Sequence, residues 1–303
     1  MGKDIYENFK SARLVFEEAS DSLHIDLKRI VFEGPEDELN RTAITQPAVF
    51  TVSAAILYAM REAGVGSDVK VASTAGHSLG EYTSLFYGGA FDFQGGLSIV
   101  GKRGKIMEEA VSEEEGGMAA ILGLDRDDVD KLVSEVFEAN EQKENGLVVA
   151  ANYNAPGQVV ISGHRGAVAA AVELATERGA KKAVILKVGV PSHSPLMKGA
   201  SEILAEELKD LELGNLDLPV ISNVTAHPHP GGGETKDLLV KQLVSPVRWE
   251  ESVKYMIDDG ITDFIEIGPG RVLSGLVKRI DRKAGISSVG DLYSLKEVEK
   301  KYQ

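Results

Sequence analysis

Val69-Lys70-Val71-Ala72-Ser73-Thr74-Ala75-Gly76-His77-Ser78-Leu79-Gly80 is the stretch that decides the fold. A β-branched run leads into Gly76-His77-Ser78-Leu79-Gly80, and a helix running towards Tyr87 leads out. Strand, G-x-S-x-G and helix together form a nucleophile elbow, where small flanking residues permit a tight, strained turn that presents the serine hydroxyl above a sheet. A serine at a helix N-terminus also brings the next amide, that of Leu79, to bear on a developing oxyanion. The plainer reading of the same pattern is a glycine-rich turn that only lets two backbones approach.

Outward from the elbow, Ile5, Phe9, Ala12, Phe16, Ala19 and Leu23 repeat at alternating spacings of four and three, which predicts one amphipathic helix at the start. Gln46 to Met60 reads as a buried helix entered through Pro47, and Asp92 N-caps another that runs to about Val111. The acidic, glycine-rich stretch Ser112 to Gly117 marks a boundary. Beyond it come a strand (118–124), a helix capped by Asp125, strands 147–153 and 158–162, a helix stopped by Gly179, and a strand 183–188. The order β-α-β-β-α-β is the split, ferredoxin-like unit. After Pro191, apolar strands (219–224, 262–267) alternate with helices, including one from Pro195 to Leu211 and one from Arg271 to Ala284. That alternation predicts a mostly parallel sheet covered on both faces. The expected division is a discontinuous large α/β subdomain, 1–116 and 190–303, with a small one, 117–189, inserted, and a charged tail from Asp291 at the periphery.

Composition removes several classes of function. The 303 residues carry 33 Lys+Arg and 47 Asp+Glu, a net charge of −14, which argues against phosphate backbones and anionic lipid as partners. No uninterrupted apolar run approaches the ~20 residues of a membrane span, and the first residues lack a secretory signal. With no cysteine in the chain, disulfides, thiolate nucleophiles and Cys-bound metals are excluded, and a reducing, cytoplasmic setting fits.

A serine nucleophile needs a base. His24 and His164 read as solvated or capping, and His77 as an orienting neighbour of the elbow. His227-Pro228-His229-Pro230 suggests a metal clip but lacks a third ligand at suitable spacing, so no metal is expected. His193 stands directly after the inserted unit's last strand and before a helix with Ser194 as N-cap and Pro195 at its first position. The positive end of that helix keeps an imidazole neutral and able to take a proton, although a purely structural, hydrogen-bonded His193 fits the same position. No Asp occupies a third-member position, so the expectation is a Ser-His dyad oriented by a carbonyl or amide. Arg103, on a helix whose stripe includes Leu97, Val100, Gly104 and Met107, borders the buried face. It is either a snorkelling or Glu-paired arginine, or a planar fork for a substrate carboxylate.

These residues resemble the malonyl-CoA:acyl carrier protein transacylases of type II fatty acid synthesis. The resemblance rests on collinear pieces across nearly the whole chain: Thr45-Gln46-Pro47-Ala48, Gly76 to Tyr82, Arg103-Gly104-Lys105, Asn152 to Gly163, Val190-Pro191-Ser192-His193, Gln242 to Trp249, and Glu266-Ile267-Gly268-Pro269-Gly270. It implies an α/β-hydrolase-like large subdomain with a ferredoxin-like small one. Ser78 would be the acylated nucleophile, His193 its base, Leu79 an oxyanion donor, Arg103 the clamp on the malonyl carboxylate with Met107 beside the substrate, and the Gln242 carbonyl the orienter of the imidazole. The implied reaction passes malonyl from malonyl-CoA to Ser78 and then to the phosphopantetheine thiol of acyl carrier protein, with no cofactor of the enzyme's own.

One departure accompanies the resemblance. The family opens with an apolar strand and a loop of the type Pro-Gly-Gln-Gly-Ser-Gln whose last glutamine supplies a second oxyanion amide. Met1-Gly2-Lys3-Asp4 resembles the segment just after that loop, so a start upstream of Met1 is expected. The rivals are a serine thioesterase, which would want an acidic third member and has no use for Arg103, and a truncated homologue that binds without turnover. Lys181-Lys182 and the cluster Lys278, Arg279, Arg282, Lys283 are the candidate basic docks for an acidic carrier protein.

Overall fold

A computed structural model describes residues 1–66, 69–110, 115–140 and 145–302. The chain divides into two units, one of Met1–Lys105, Leu211–Ile221 and Met256–Gln303, the other of Ile106–Asp210 and Ser222–Tyr255.

The opening stripe forms two helices where the spacing predicts one, α1 (Lys3–Asn8) and α2 (Lys10–Leu23). Phe9 between them is extended, at φ −123° and ψ 132°. The Glu62 carboxylate accepts from the amides of Lys10 and Ser11 at 3.3 and 2.8 Å, so a distant residue restarts the helix by satisfying two of its orphan donors. α3 (Leu27–Glu33), capped by Asp26, and α4 (Glu36–Asn40) follow. α5 (Thr42–Glu62) starts earlier than expected and holds Pro47 beyond its first turn. Its most apolar window would suffice in length and hydropathy to cross a membrane, but 67% of that window is buried in the protein, as in a core helix. β1 is only Thr74–Ala75, much shorter than the predicted strand, and leads to α6 (Leu79–Tyr87). α7 (Phe93–Ala110) is capped as expected, the Asp92 carboxylate accepting from the Gly95 amide at 2.8 Å.

The boundary stretch 112–117 falls partly outside the described residues, and its last two glycines open β2 (Gly116–Leu122). Then come α8 (Arg126–Asn140), β3 (Val148–Ala155), β4 (Gln158–His164), α9 (Arg165–Glu177) and β5 (Lys182–Ile185). All three pairings in this sheet are antiparallel, in the order β3-β4-β2-β5, which is the ferredoxin-like arrangement. Ile121, Leu132, Ile161 and Val168 are among the residues that bury its helix-covered face.

A 3-10 turn, Pro195–Met197, precedes α10 (Lys198–Lys209); β6 (Val220–Ile221), α11 (Gly232–Gln242), α12 (Trp249–Asp258) and β7 (Asp263–Ile267) follow. The predicted long helix from Arg271 is α13 (Val272–Ile280), and it stops where Asp281 turns extended. Residues 281–284 turn the chain into β8 (Gly285–Val289), and the tail is α14 (Leu292–Tyr302), anchored through buried Leu295 and Val298. The first unit thus contains two parallel pairs, β1 with β6 and β7 with β8, with helices between consecutive strands. The chain is an α/β fold carrying parallel and antiparallel sheets.

Candidate active site

In the first unit, Ser78 sits at φ 51° and ψ −106°, a backbone conformation that costs an L residue energy and marks the strained elbow. Gly76 makes the turn possible: a Cβ there would meet the Gly80 carbonyl oxygen at 1.9 Å. The Gly80 amide closes onto the His77 carbonyl at 2.8 Å and the Glu81 amide onto Ser78 at 3.1 Å. Leu79 is the first residue of α6, where an amide has no carbonyl of a preceding turn in line.

Arg103 lies deeper than its stripe implies, at 1% exposure. Its Nη1 donates to Gln46 Oε1 and its Nη2 to Ser78 Oγ at 3.2 Å, and its Cζ stands 5.3 Å from the centroid of the buried Tyr82 ring. Burial pulls its pKa below the ordinary arginine value, while Tyr82 and the fully buried Glu81 favour the charged form. Elements from three parts of the chain, α5, α6 and α7, therefore converge on one guanidinium beside the elbow serine. Met107, one turn further along α7, is 3% exposed. Gln46, Glu81 and Tyr82 carry no role from sequence alone, although all three stand in the quoted motifs.

In the second unit, His193 is 3% exposed and has a left-handed backbone, φ 60°. Its Nδ1 lies 2.8 Å from the Gln242 carbonyl oxygen. A carbonyl only accepts, so Nδ1 carries the proton and Nε2 of the neutral ring keeps its lone pair. Gln242, 0% exposed, ends α11, where carbonyls lack intrahelical partners and the helix carries partial negative charge. Ser194 stands at the N-cap position and Pro195 at the first position as expected, with the 3-10 turn running directly into α10, but the Ser194 hydroxyl donates to the Pro191 carbonyl at 2.7 Å and does not cap the helix.

Three further histidines lie away from the elbow in sequence. The Leu147 amide donates to His164 Nδ1 at 3.2 Å, His24 ends α2 in a left-handed conformation, and His227 donates through Nδ1 to the Thr225 carbonyl at 2.8 Å while its ring meets Tyr255. No His, Asp or Glu group suited to a metal occurs among the described residues.

A strained elbow serine with a buried cation on its hydroxyl, on an α/β fold, is the equipment of an acyltransferase. Residues 1–292 match the acyl transferase domain family. The chain is 46% identical over 291 residues to the malonyl CoA-acyl carrier protein transacylase of Bacillus subtilis, covering 96% of this chain and 89% of that one. It is 42% identical over 277 residues to the enzyme of that name from Escherichia coli, covering 91% and 87%. A solved malonyl-transacylase in complex with a type II PKS acyl-carrier protein superposes with a TM-score of 0.93 at 41% identity, over 99% of this chain and 94% of that one. The acyl-carrier-protein S-malonyltransferase of Bartonella henselae does so with 0.94 at 39% identity, over 100% and 94%. The chain belongs to the malonyl CoA-acyl carrier protein transacylase family of acyltransferases.

Proposed function

We propose that Ser78 and His193 carry out malonyl transfer from malonyl-CoA to acyl carrier protein, the step of fatty acid biosynthesis that the family performs. His193 Nε2 takes the proton as Ser78 Oγ attacks the thioester carbonyl; the C–S bond then breaks and the CoA sulfur leaves with that proton. The malonyl ester on Ser78 passes by the same steps in reverse to the phosphopantetheine thiol. The Leu79 amide steadies the oxyanion, Arg103 holds the free carboxylate of the malonyl group, Met107 lines the acyl site and the Gln242 carbonyl steadies the imidazole.

The observation that carries this reading is the Arg103 Nη2 to Ser78 Oγ contact of 3.2 Å, which sets a fork for carboxylates beside the acylated atom. A hydrolase of uncharged acyl groups has no use for such a cation. Nucleophile, base and cation are all side chains, so the proposed chemistry calls on no cofactor or metal. The cytoplasm, where CoA thioesters and reduced thiols coexist, is the proposed location. Residues 117–189 are proposed as an inserted small subdomain within 1–116 and 190–303.

Incubation with [14C]malonyl-CoA tests the reading. Label is expected on Ser78 and transfers to carrier thiol faster than to water; no label on Ser78→Ala is expected. Release to water in preference to carrier would make the chain a thioesterase, and absence of label a binding protein.

A further inference from the structure

The burial of Arg103 raises the question of what holds a guanidinium in place before a substrate carboxylate arrives. A cation taken fully out of water needs compensating partners, and a fork that can rotate loses the geometry that makes it selective. Gln46 Oε1 accepts from Nη1 and Ser78 Oγ from Nη2, so hydrogen bonds fix both tips of the fork. The third restraint is the Tyr82 ring. It is 0% exposed, its centroid is 5.3 Å from Cζ, and it projects from α6 one turn beyond the nucleophile. A cation within about 6 Å of an aromatic centroid is attracted by the ring quadrupole, and most strongly where water is excluded.

We propose that Tyr82 is a positioning residue for acyl-group selection: its ring face holds the Arg103 guanidinium in the orientation that recognises a carboxylated acyl chain. The proposal rests on the reading of Arg103 as the carboxylate clamp. Tyr82 touches no reacting atom; it acts through Arg103. Its place three residues after Leu79 and four after Ser78 sets the ring on the same side of α6 as the elbow, so one short helix carries both the nucleophile and the support for the selecting cation. Burial pushes the phenol's pKa up to about 12 against the opposing pull of Arg103, whose guanidinium lies within reach of the hydroxyl as well as of the ring, so Tyr82 meets the cation as a neutral side chain.

The test measures kcat/KM for malonyl-CoA and for acetyl-CoA in the full chain. Their ratio is a readout that a merely structural role would not move, since general loosening lowers both. Tyr82→Phe keeps the ring and should leave the ratio within about twofold. Tyr82→Leu removes the π face and should lower the ratio by about tenfold, the worth of a desolvated cation–π contact. Because Tyr82→Leu also removes buried volume, a second series keeps shape constant: phenylalanine, 4-fluorophenylalanine and 3,4,5-trifluorophenylalanine placed at position 82 should lower the ratio stepwise as fluorine drains the ring. A ratio that stays flat across the fluorinated series, or a Tyr82→Phe loss equal to that of Tyr82→Leu, overturns the proposal. Arg103→Ala, measured in parallel, separates the two levels. If it leaves the malonyl-to-acetyl ratio intact, the reading of Arg103 itself fails; if it collapses the ratio while the Tyr82 series stays flat, only the role of Tyr82 fails.

Discussion

Two arginines of this chain lie against tyrosine rings, and they do opposite things. Arg126 in α8 stacks at 3.7 Å from the Tyr153 centroid with its side chain 43% exposed, and it is tied to Glu251 and, at 3.8 Å, to Asp130. Tyr153 donates to Asp130 at 2.8 Å, and Arg248 joins Glu251 from the other side. Burial lowers the Arg126 pKa, but Glu251, Tyr153 and Asp130 together outweigh it and the net direction is upward. Arg103 shows the reverse: burial dominates, the pKa falls, and its hydrogen bonds run to an amide oxygen and a hydroxyl. Both tyrosines are pushed to about 12, mainly by burial, so the rings do not distinguish the two sites. The depth and chemistry of the other partners do. Arg126 is tied to carboxylates at a partly exposed position, whereas Arg103 is fully buried among Gln46, Ser78, Tyr82 and the Glu81 carboxylate.

The sharpest way to break this contrast is at the chemistry itself. His193→Ala should slow acylation of Ser78 by about 10²–10⁴-fold, the usual worth of general-base help, measured by quenched-flow labelling; normal acylation would remove His193 from the mechanism. Next comes Arg103→Ala, which should cost malonyl-CoA roughly 10²–10³ in kcat/KM, as loss of a desolvated charge partner does. Acetyl-CoA should be nearly spared, and equal losses would make Arg103 as structural as Arg126.

Arg126→Ala should leave the malonyl-to-acetyl ratio alone and lower stability by no more than ~1 kcal/mol, because the pair is partly exposed to solvent. Denaturant melts beside the kinetics would show it. The same clasp has a pH signature. Burial raises the Glu251 pKa, but hydrogen bonds from Arg248 and Arg126 prevail and hold it below its ordinary 4.5. A depressed carboxylate stabilises the fold above its unfolded pKa and loses that contribution as pH falls through the folded value. The stability gap between the parent and Glu251→Gln should therefore be constant at neutral pH and close below about pH 4.5; a gap that persists in stronger acid would assign it to packing.

The smallest effect belongs to the surface. Lys181 and Lys182 are exposed at the start of edge strand β5, where Ile185 is 49% exposed. Lys182→Glu should raise the apparent KM for carrier protein several-fold without touching the half-reaction with CoA. An unchanged carrier KM would transfer attention to Lys278, Arg279, Arg282 and Lys283.

The elbow was legible because its demands are local: Gly76 has to be small for Gly80 to fold back over it, and strand and helix propensities flank it. Asp92 and the β-α-β-β-α-β order were legible for the same reason. Phe9 was not, since its apolar side chain keeps the stripe in phase while Glu62, more than fifty positions away, supplies the cap. β8 escaped notice because Gly285-Ile286-Ser287-Ser288-Val289 has only two apolar residues and gains its stability from pairing with β7. At the site, stripe arithmetic placed Arg103 at the border of the core, but its full burial depends on Gln46 and Tyr82 from other helices. For His193 both the helix start beside it and an orienting carbonyl were expected, and only the side-chain cap from Ser194 is missing, its hydroxyl being taken by the Pro191 carbonyl.

That carbonyl has a consequence for how the site tolerates change. An orienting aspartate can be lost by a single base substitution and has an acid limb of its own. The Gln242 oxygen belongs to the main chain, so every amino acid at position 242 provides it and no proton ever leaves it. Alanine scanning will pass over it in silence, and only backbone chemistry, such as an ester bond in place of the amide between residues 242 and 243, would weaken it. The hydrogen bond that orients the imidazole therefore does not depend on which side chain stands at position 242.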